Sequence, residues 1–118
     1  MPPPNVTLLH NPRCSKSRAA LALLQGRGIA LDVVEYLTAP LGRGDLEALR
    51  AKLGQPPDRW VRKGEAAFAE AGLSAASTEG EILDAMARHP ILLERPIAIQ
   101  GDRAVVGRPP ERVLELLA

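Results

Sequence analysis

VTLLHNPRCSKSRAALALL, residues 6–24, changes its periodicity twice. Residues 6–9 form a short apolar run led by a β-branched side chain and read as a strand. His10-Asn11-Pro12 is turn chemistry. Residues 19–24 then repeat apolar side chains at helical spacing, so Cys14, the chain's only cysteine, falls at the entrance of a helix. Such an entrance presents unpaired backbone N–H groups and about half a positive charge. A sulfur there is favoured as thiolate, and an oxyanion brought to it is favoured as well.

An ordinary cysteine is only a few per cent thiolate at neutral pH. A hundredfold gain in ionisation corresponds to about 2.7 kcal/mol of preference for the charged form, within the reach of helix ends and nearby cations. Arg13, Lys16 and Arg18 crowd the same turn. A free cysteine is commonly an inert, buried small hydrophobe, but polar and cationic neighbours point this one toward reactivity.

After the first helix, Gly26 and Gly28 supply the stop where a left-handed residue is wanted. Residues 29–36 read as a second strand. Because a helix connects them, the two strands should run parallel in a right-handed βαβ unit. A loop with Pro40 and two glycines follows, and Asp45 is placed to cap a helix over 46–53. Residues 58–62 suggest one helical turn and 65–71 a short helix ended by Gly72. Thr78-Glu79-Gly80-Glu81 has the form of a capping box launching a helix over 82–88, which His89-Pro90 closes. Residues 97–100 and 103–106 are short strands flanking Gly101-Asp102, a two-residue hairpin signal. A last helix over 111–117 follows Gly107-Arg108-Pro109-Pro110. Residues 1–4 read as a frayed lead-in, since prolines cannot join a ladder. The order predicts one α/β domain over 1–118. Its centre is a small, mixed, four-stranded thioredoxin-like sheet flanked by helices, with a helical insertion at approximately 45–90 between strands 2 and 3.

Composition narrows the function. With 46% hydrophobic and 25% charged residues, the chain is ordinary for a soluble globular protein. A net charge of +1 argues neither for nor against nucleic acid, but 3% aromatic residues offer no stacking platform, so nucleic acid is not an expected partner. The longest apolar run, residues 19–24, is far too short to span a bilayer, and no basic-then-apolar leader opens the chain; a cytoplasmic protein is expected. One cysteine forms no internal disulfide, and one cysteine with two distant histidines, His10 and His89, makes no credible zinc site, so no metal is expected. No long apolar stripe is left over, which predicts a monomer. Arginine outnumbers lysine twelve to three. Most of these arginines read as solvated charges, and a few as planar forks for oxyanions.

Four segments carry a resemblance. His10-Asn11-Pro12-Arg13-Cys14-Ser15-Lys16-Ser17-Arg18 resembles the active-site turn of the ArsC-type, glutaredoxin-coupled arsenate reductases, a thioredoxin-fold family related to the Spx transcription regulators. Val61-Arg62-Lys63-Gly64-Glu65 is similar to the family's inserted-helix arginine motif. Leu92-Leu93-Glu94-Arg95-Pro96-Ile97 is similar to its arginine-proline before the third strand, and Val106-Gly107-Arg108-Pro109 to its last arginine turn. The resemblance implies Cys14 as nucleophile and Arg62, Arg95 and Arg108 as holders of the oxyanion and its intermediates. Pro96 resembles the cis-proline beside the redox sulfur. His10 resembles the position proposed to keep the thiol ionised; the residues alone leave open a turn histidine bonded to its own backbone. Asn11, Ser15, Ser17 and Arg18 are candidate supports of the turn and the anion.

The implied reaction is reduction of arsenate to arsenite, with no bound cofactor, glutathione as co-substrate and glutaredoxin as partner. Elementary electrostatics agrees. A thiolate attacking an anionic tetrahedral oxyanion sets like charges together, and guanidiniums with a helix entrance screen them without being consumed. One cysteine cannot resolve the resulting adduct alone, so an external thiol is required. Two departures stand out. Ser15-Lys16-Ser17 replaces the Gly-Thr-Ser of the best-known reductases, and Ser17 stands where many Spx-type regulators have a second cysteine. The alternatives are an Spx-like, non-catalytic module that binds a transcription complex and a thiol-transfer oxidoreductase with another substrate.

Overall fold

A computed structural model describes residues 5–117; the expected lead-in at 1–4 lies outside them. The chain divides into two compact units, one built from its two ends (up to Ala39 and from Arg95) and one from Pro40–Glu94. The sequence placed the helical insertion at approximately 45–90, inside the second of these.

In the first unit the strands are β1 (Asn5–Leu9), β2 (Ala30–Val34), β3 (Ile97–Gln100) and β4 (Arg103–Val106), and α1 (Ser15–Gln25) joins the first two. The sheet order is β2-β1-β3-β4. β1 runs parallel to β2 and antiparallel to β3, and β3 is antiparallel to β4, so the sheet is mixed, as expected. Val6, Leu8 and Ala98 occupy one face by the period-2 rule, and they join Ala20 and Leu24 of α1 and Val113 and Leu116 near the C-terminus in one buried cluster.

Several boundaries differ from expectation, each for a local reason. β2 stops at Val34 instead of continuing to residue 36, because β1 is its one neighbour and their register runs out at Leu9 opposite Val34. The last exchange is His10 N–H donating to Val34 O at 2.9 Å. Gly26 is right-handed at the helix stop, and Gly28, at φ 66°, supplies the left-handed residue. Gly101 has φ 61° at the first position of the hairpin turn and Asp102 does not share a positive φ, the signature of a type II′ turn. The final segment, Pro110–Leu117, is a 3-10 helix that begins one residue before the helix expected over 111–117.

The second unit contains α2 (Arg43–Leu53), α3 (Ala66–Glu70) and α4 (Glu79–Arg88), with 3-10 turns at Pro57–Arg59 and Pro90–Leu92. α2 begins ahead of Asp45, which acts from its third position by accepting from Gly42 N–H at 3.0 Å instead of being the cap itself. The Thr78–Glu81 box closes in both directions, Thr78 N–H to Glu81 Oε1 at 2.7 Å and Glu81 N–H to Thr78 Oγ1 at 3.1 Å. Arg43 pairs with Asp84 and Arg50 with Glu79 at the surface between α2 and α4, where water screens both contacts.

Trp60 carries more weight. It is fully buried, and its indole N–H donates to Gln55 O at 3.1 Å. Phe68, in α3 of the same unit, is only half-buried. Trp60→Ala is expected to cost about 3–5 kcal/mol. Urea unfolding checks this; a loss below about 1 kcal/mol would show that Trp60 does not anchor this unit.

Candidate active site

The residues before α1 fold into a turn through Asn11. Its side-chain Oδ1 accepts from Arg13 N–H at 3.0 Å and its carbonyl accepts from Cys14 N–H at 3.0 Å, with Pro12 at the position a tight turn favours. Cys14 is therefore delivered as the N-cap of α1, with extended dihedrals (φ −94°, ψ 123°) and partial exposure. No conventional capping bond closes on Sγ, yet the N–H groups of Ser17 and Lys16 lie near enough to favour a negative sulfur. Burial is the largest single influence on the thiol and opposes ionisation. The Ser17 N–H, the Arg95 guanidinium as donor, the Lys16 N–H and the Arg95 charge together outweigh it, holding the thiol below the ordinary cysteine value.

Ser17 is fully buried and ties the turn together. Its Oγ accepts from Asn11 N–H at 3.0 Å and lies 2.7 Å from His10 Nδ1. The imidazole thus meets Ser17 across the turn instead of bonding its own backbone. Burial, first, and the charge of Arg18 push His10 below the usual histidine range, against the pull of Glu35. His10 therefore acts at neutral pH as an uncharged brace of the α1 first turn, and reaches Cys14 through Ser17. Ser15 and Arg18 are exposed, and Arg18 Nη1 donates to Pro12 O at 3.0 Å, which places it as a strap on the turn.

Arg95 and Arg108 flank two cis peptide bonds, Arg95-Pro96 and Arg108-Pro109. Arg108 Nη1 donates to the Arg95 carbonyl at 2.9 Å, and Gly107 N–H donates to Pro96 O at 2.7 Å. A Cβ on Gly107 would come within 2.8 Å of both Pro96 and Val113, so only glycine lets the last arginine turn pack against the proline. The structure thus gathers Cys14, His10, Asn11, Ser17, Arg95, Pro96 and Arg108 within the first unit.

Arg62 belongs to the second unit. There Val61 pairs with Leu93 in an isolated antiparallel bridge, with Arg62 N–H to Leu92 O at 2.7 Å and Glu94 N–H to Trp60 O at 3.0 Å. This backbone pairing carries Arg62 to Glu94, 32 residues away: Nη1 meets Glu94 at 2.7 Å and Nε meets Glu65 at 3.1 Å. Burial alone would lower the Arg62 value; the two carboxylates outweigh it and keep the guanidinium firmly charged. Glu65 at i+3 was legible as a partner, whereas Glu94 was not, because only tertiary pairing brings it there. Among the described residues no three His, Cys, Asp or Glu side chains gather as a metal site requires, and no helix is long and apolar enough to cross a membrane.

A mixed β2-β1-β3-β4 sheet with one cysteine capping the first helix and a cis-proline before β3 defines a thioredoxin-like protein of the single-cysteine class. The chain belongs to the ArsC family, which it matches over residues 9–116. It is 44% identical over 116 residues, 97% of this chain and 99% of the other, to an arsenate reductase of Neisseria meningitidis serogroup A. It is 41% identical over 114 residues, 95% and 96% of the two chains, to the uncharacterized protein YfgD of Escherichia coli K12. Among solved structures, an arsenate reductase from Vibrio cholerae aligns with a TM-score of 0.91 at 40% identity, covering 96% of this chain and 98% of that one.

Proposed function

We propose that this protein reduces arsenate to arsenite through the thiolate of Cys14, with glutathione and glutaredoxin supplying the resolving thiols. The observation that carries the reading is the Arg95 guanidinium at the sulfur of a helix-capping cysteine whose thiol is held below its ordinary value. Membership of the ArsC family and the names of the relatives from Neisseria meningitidis and Vibrio cholerae support the substrate.

In this reading the Cys14 thiolate attacks arsenic and a protonated oxygen leaves as water, giving a sulfur–arsenic(V) bond. A second thiolate attacks the Cys14 sulfur, the sulfur–arsenic electron pair stays on arsenic, and arsenite departs. Two sulfurs have then lost two electrons to form a mixed disulfide, which a further thiol cleaves by exchange. Arg95 screens the attack, Arg108 helps hold the anion, and His10, Asn11 and Ser17 keep the turn in shape. The protein works as a cytoplasmic monomer with no bound cofactor and without nucleic acid or membrane partners.

Alkylation of Cys14 by iodoacetamide across pH, with and without arsenate, tests this. Because the thiol is held low, the rate should rise and level off at lower pH than for a free cysteine, and arsenate should protect the sulfur. The same protein should drive arsenate-dependent oxidation of NADPH through glutathione, glutaredoxin and glutathione reductase. An ordinary titration midpoint with no protection by arsenate would end the proposal.

A further inference from the structure

The register of the parallel pair places a cleft beside the reactive turn. β1 and β2 end opposite one another at Leu9 and Val34, and the segments that follow diverge around a cleft of about 360 Å³. Residues 10–13 of the cysteine turn make one wall; Glu35, Leu37 and Thr38 make the other. The cleft lies beyond the carboxyl ends of the two parallel strands, and its volume lies at the small-ligand end of the usual range.

The walls carry a defined chemistry. Pro12 and Leu37 are apolar, and Leu37 is one of the two large hydrophobic side chains left exposed among the described residues, at 37%. Arg13 and Glu35 bring one charge of each sign, both side chains are exposed, and neither forms an ion pair with another described residue. A cleft with separated positive and negative groups over an apolar strip suits a small zwitterion: a carboxylate toward Arg13, an ammonium toward Glu35, and methylenes over Pro12 and Leu37. Thr38 is less available as a donor, since its hydroxyl donates to Glu35 O at 3.1 Å.

We infer that this cleft is the binding site of the external thiol, a thiol peptide the size of glutathione whose γ-glutamyl end carries the paired ammonium and carboxylate, seated beside the turn that carries Cys14. The inference deepens the proposed function, which requires an external thiol, and assigns Glu35, Leu37 and Arg13 to its recognition. Glutathione bound there meets the cysteine turn from the side of β2.

The test uses thiol–disulfide exchange without arsenate, so it stands apart from the oxyanion reading. Glutathione disulfide and the uncharged 2-hydroxyethyl disulfide are each reacted with the reduced protein. In both reactions the Cys14 thiolate attacks one sulfur of the disulfide, the mixed disulfide forms, and the other half leaves as thiolate. Intact-mass kinetics at several concentrations give the second-order rate. Glu35→Gln and Leu37→Ser should each slow reaction with glutathione disulfide about three- to fivefold, the scale of a partly exposed contact of about 1 kcal/mol. Both should leave the rate with 2-hydroxyethyl disulfide, and the pH midpoint of iodoacetamide alkylation, at wild-type values. Arg13→Gln should share the loss toward glutathione disulfide. Unchanged glutathione rates in all three variants, or equal losses with both disulfides, would overturn the assignment. Failure of arsenate to protect Cys14, with these differences intact, would remove the arsenate reading and leave the cleft standing.

Discussion

Cys14→Ser should abolish arsenate-dependent NADPH oxidation while leaving the fold intact. Serine is isosteric, and at the N-cap of α1 it is the better residue, since its oxygen accepts from the first-turn N–H groups more strongly than sulfur does. Thermal unfolding of the variant should therefore match or exceed that of the wild type. A hydroxyl is almost never ionised near neutral pH, so the backbone and guanidinium donors that favour a thiolate have no anion to act on. A falling rate with an unchanged melting temperature assigns the loss to chemistry. Wild-type turnover by the serine variant would exclude Cys14 as the nucleophile.

Arg95→Ala should be nearly as severe, lowering kcat/KM for arsenate by about 10²–10³, the range seen when one charged or polar donor is taken from a developing anion. Two losses combine. Arg95 is the one side chain among the influences that draw the Cys14 thiol down, through both its hydrogen bond and its charge, so the alkylation midpoint should move upward in the variant. The same guanidinium is then missing from the oxyanion. Arg95→Lys should recover part of the ionisation, because the charge returns, and less of the arsenate affinity, because an ammonium has no planar fork. Unaltered alkylation and turnover in Arg95→Ala would remove Arg95 from the site.

The candidate site was legible in unequal parts. Asn11-Pro12 ahead of a helical run marked the cysteine turn, since an Asx turn and a proline act within three or four residues. Pro96 as a cis-proline and the arginines Arg62, Arg95 and Arg108 were singled out only through family resemblance. Nothing in the local sequence tells a site arginine from Arg43 or Arg50, which the fold spends on surface pairs with Asp84 and Glu79. The bond between His10 and Ser17 spans a turn whose closure depends on where the helix starts. The pairing of Arg62 with Glu94 depends on a bridge between Val61 and Leu93.

By itself the sequence determined the element order, the parallel β1–β2 pair, the hairpin at Gly101, the capping box at Thr78 and the placement of the one cysteine at a helix start. These follow from steric and hydrogen-bonding preferences that act between near neighbours. Only the tertiary structure decided where β2 ends, which arginine meets the sulfur, which carboxylates hold Arg62, and that Glu35 and Leu37 face the cysteine turn across a cleft. Those outcomes depend on register and packing between residues far apart in the chain, and no local preference encodes them.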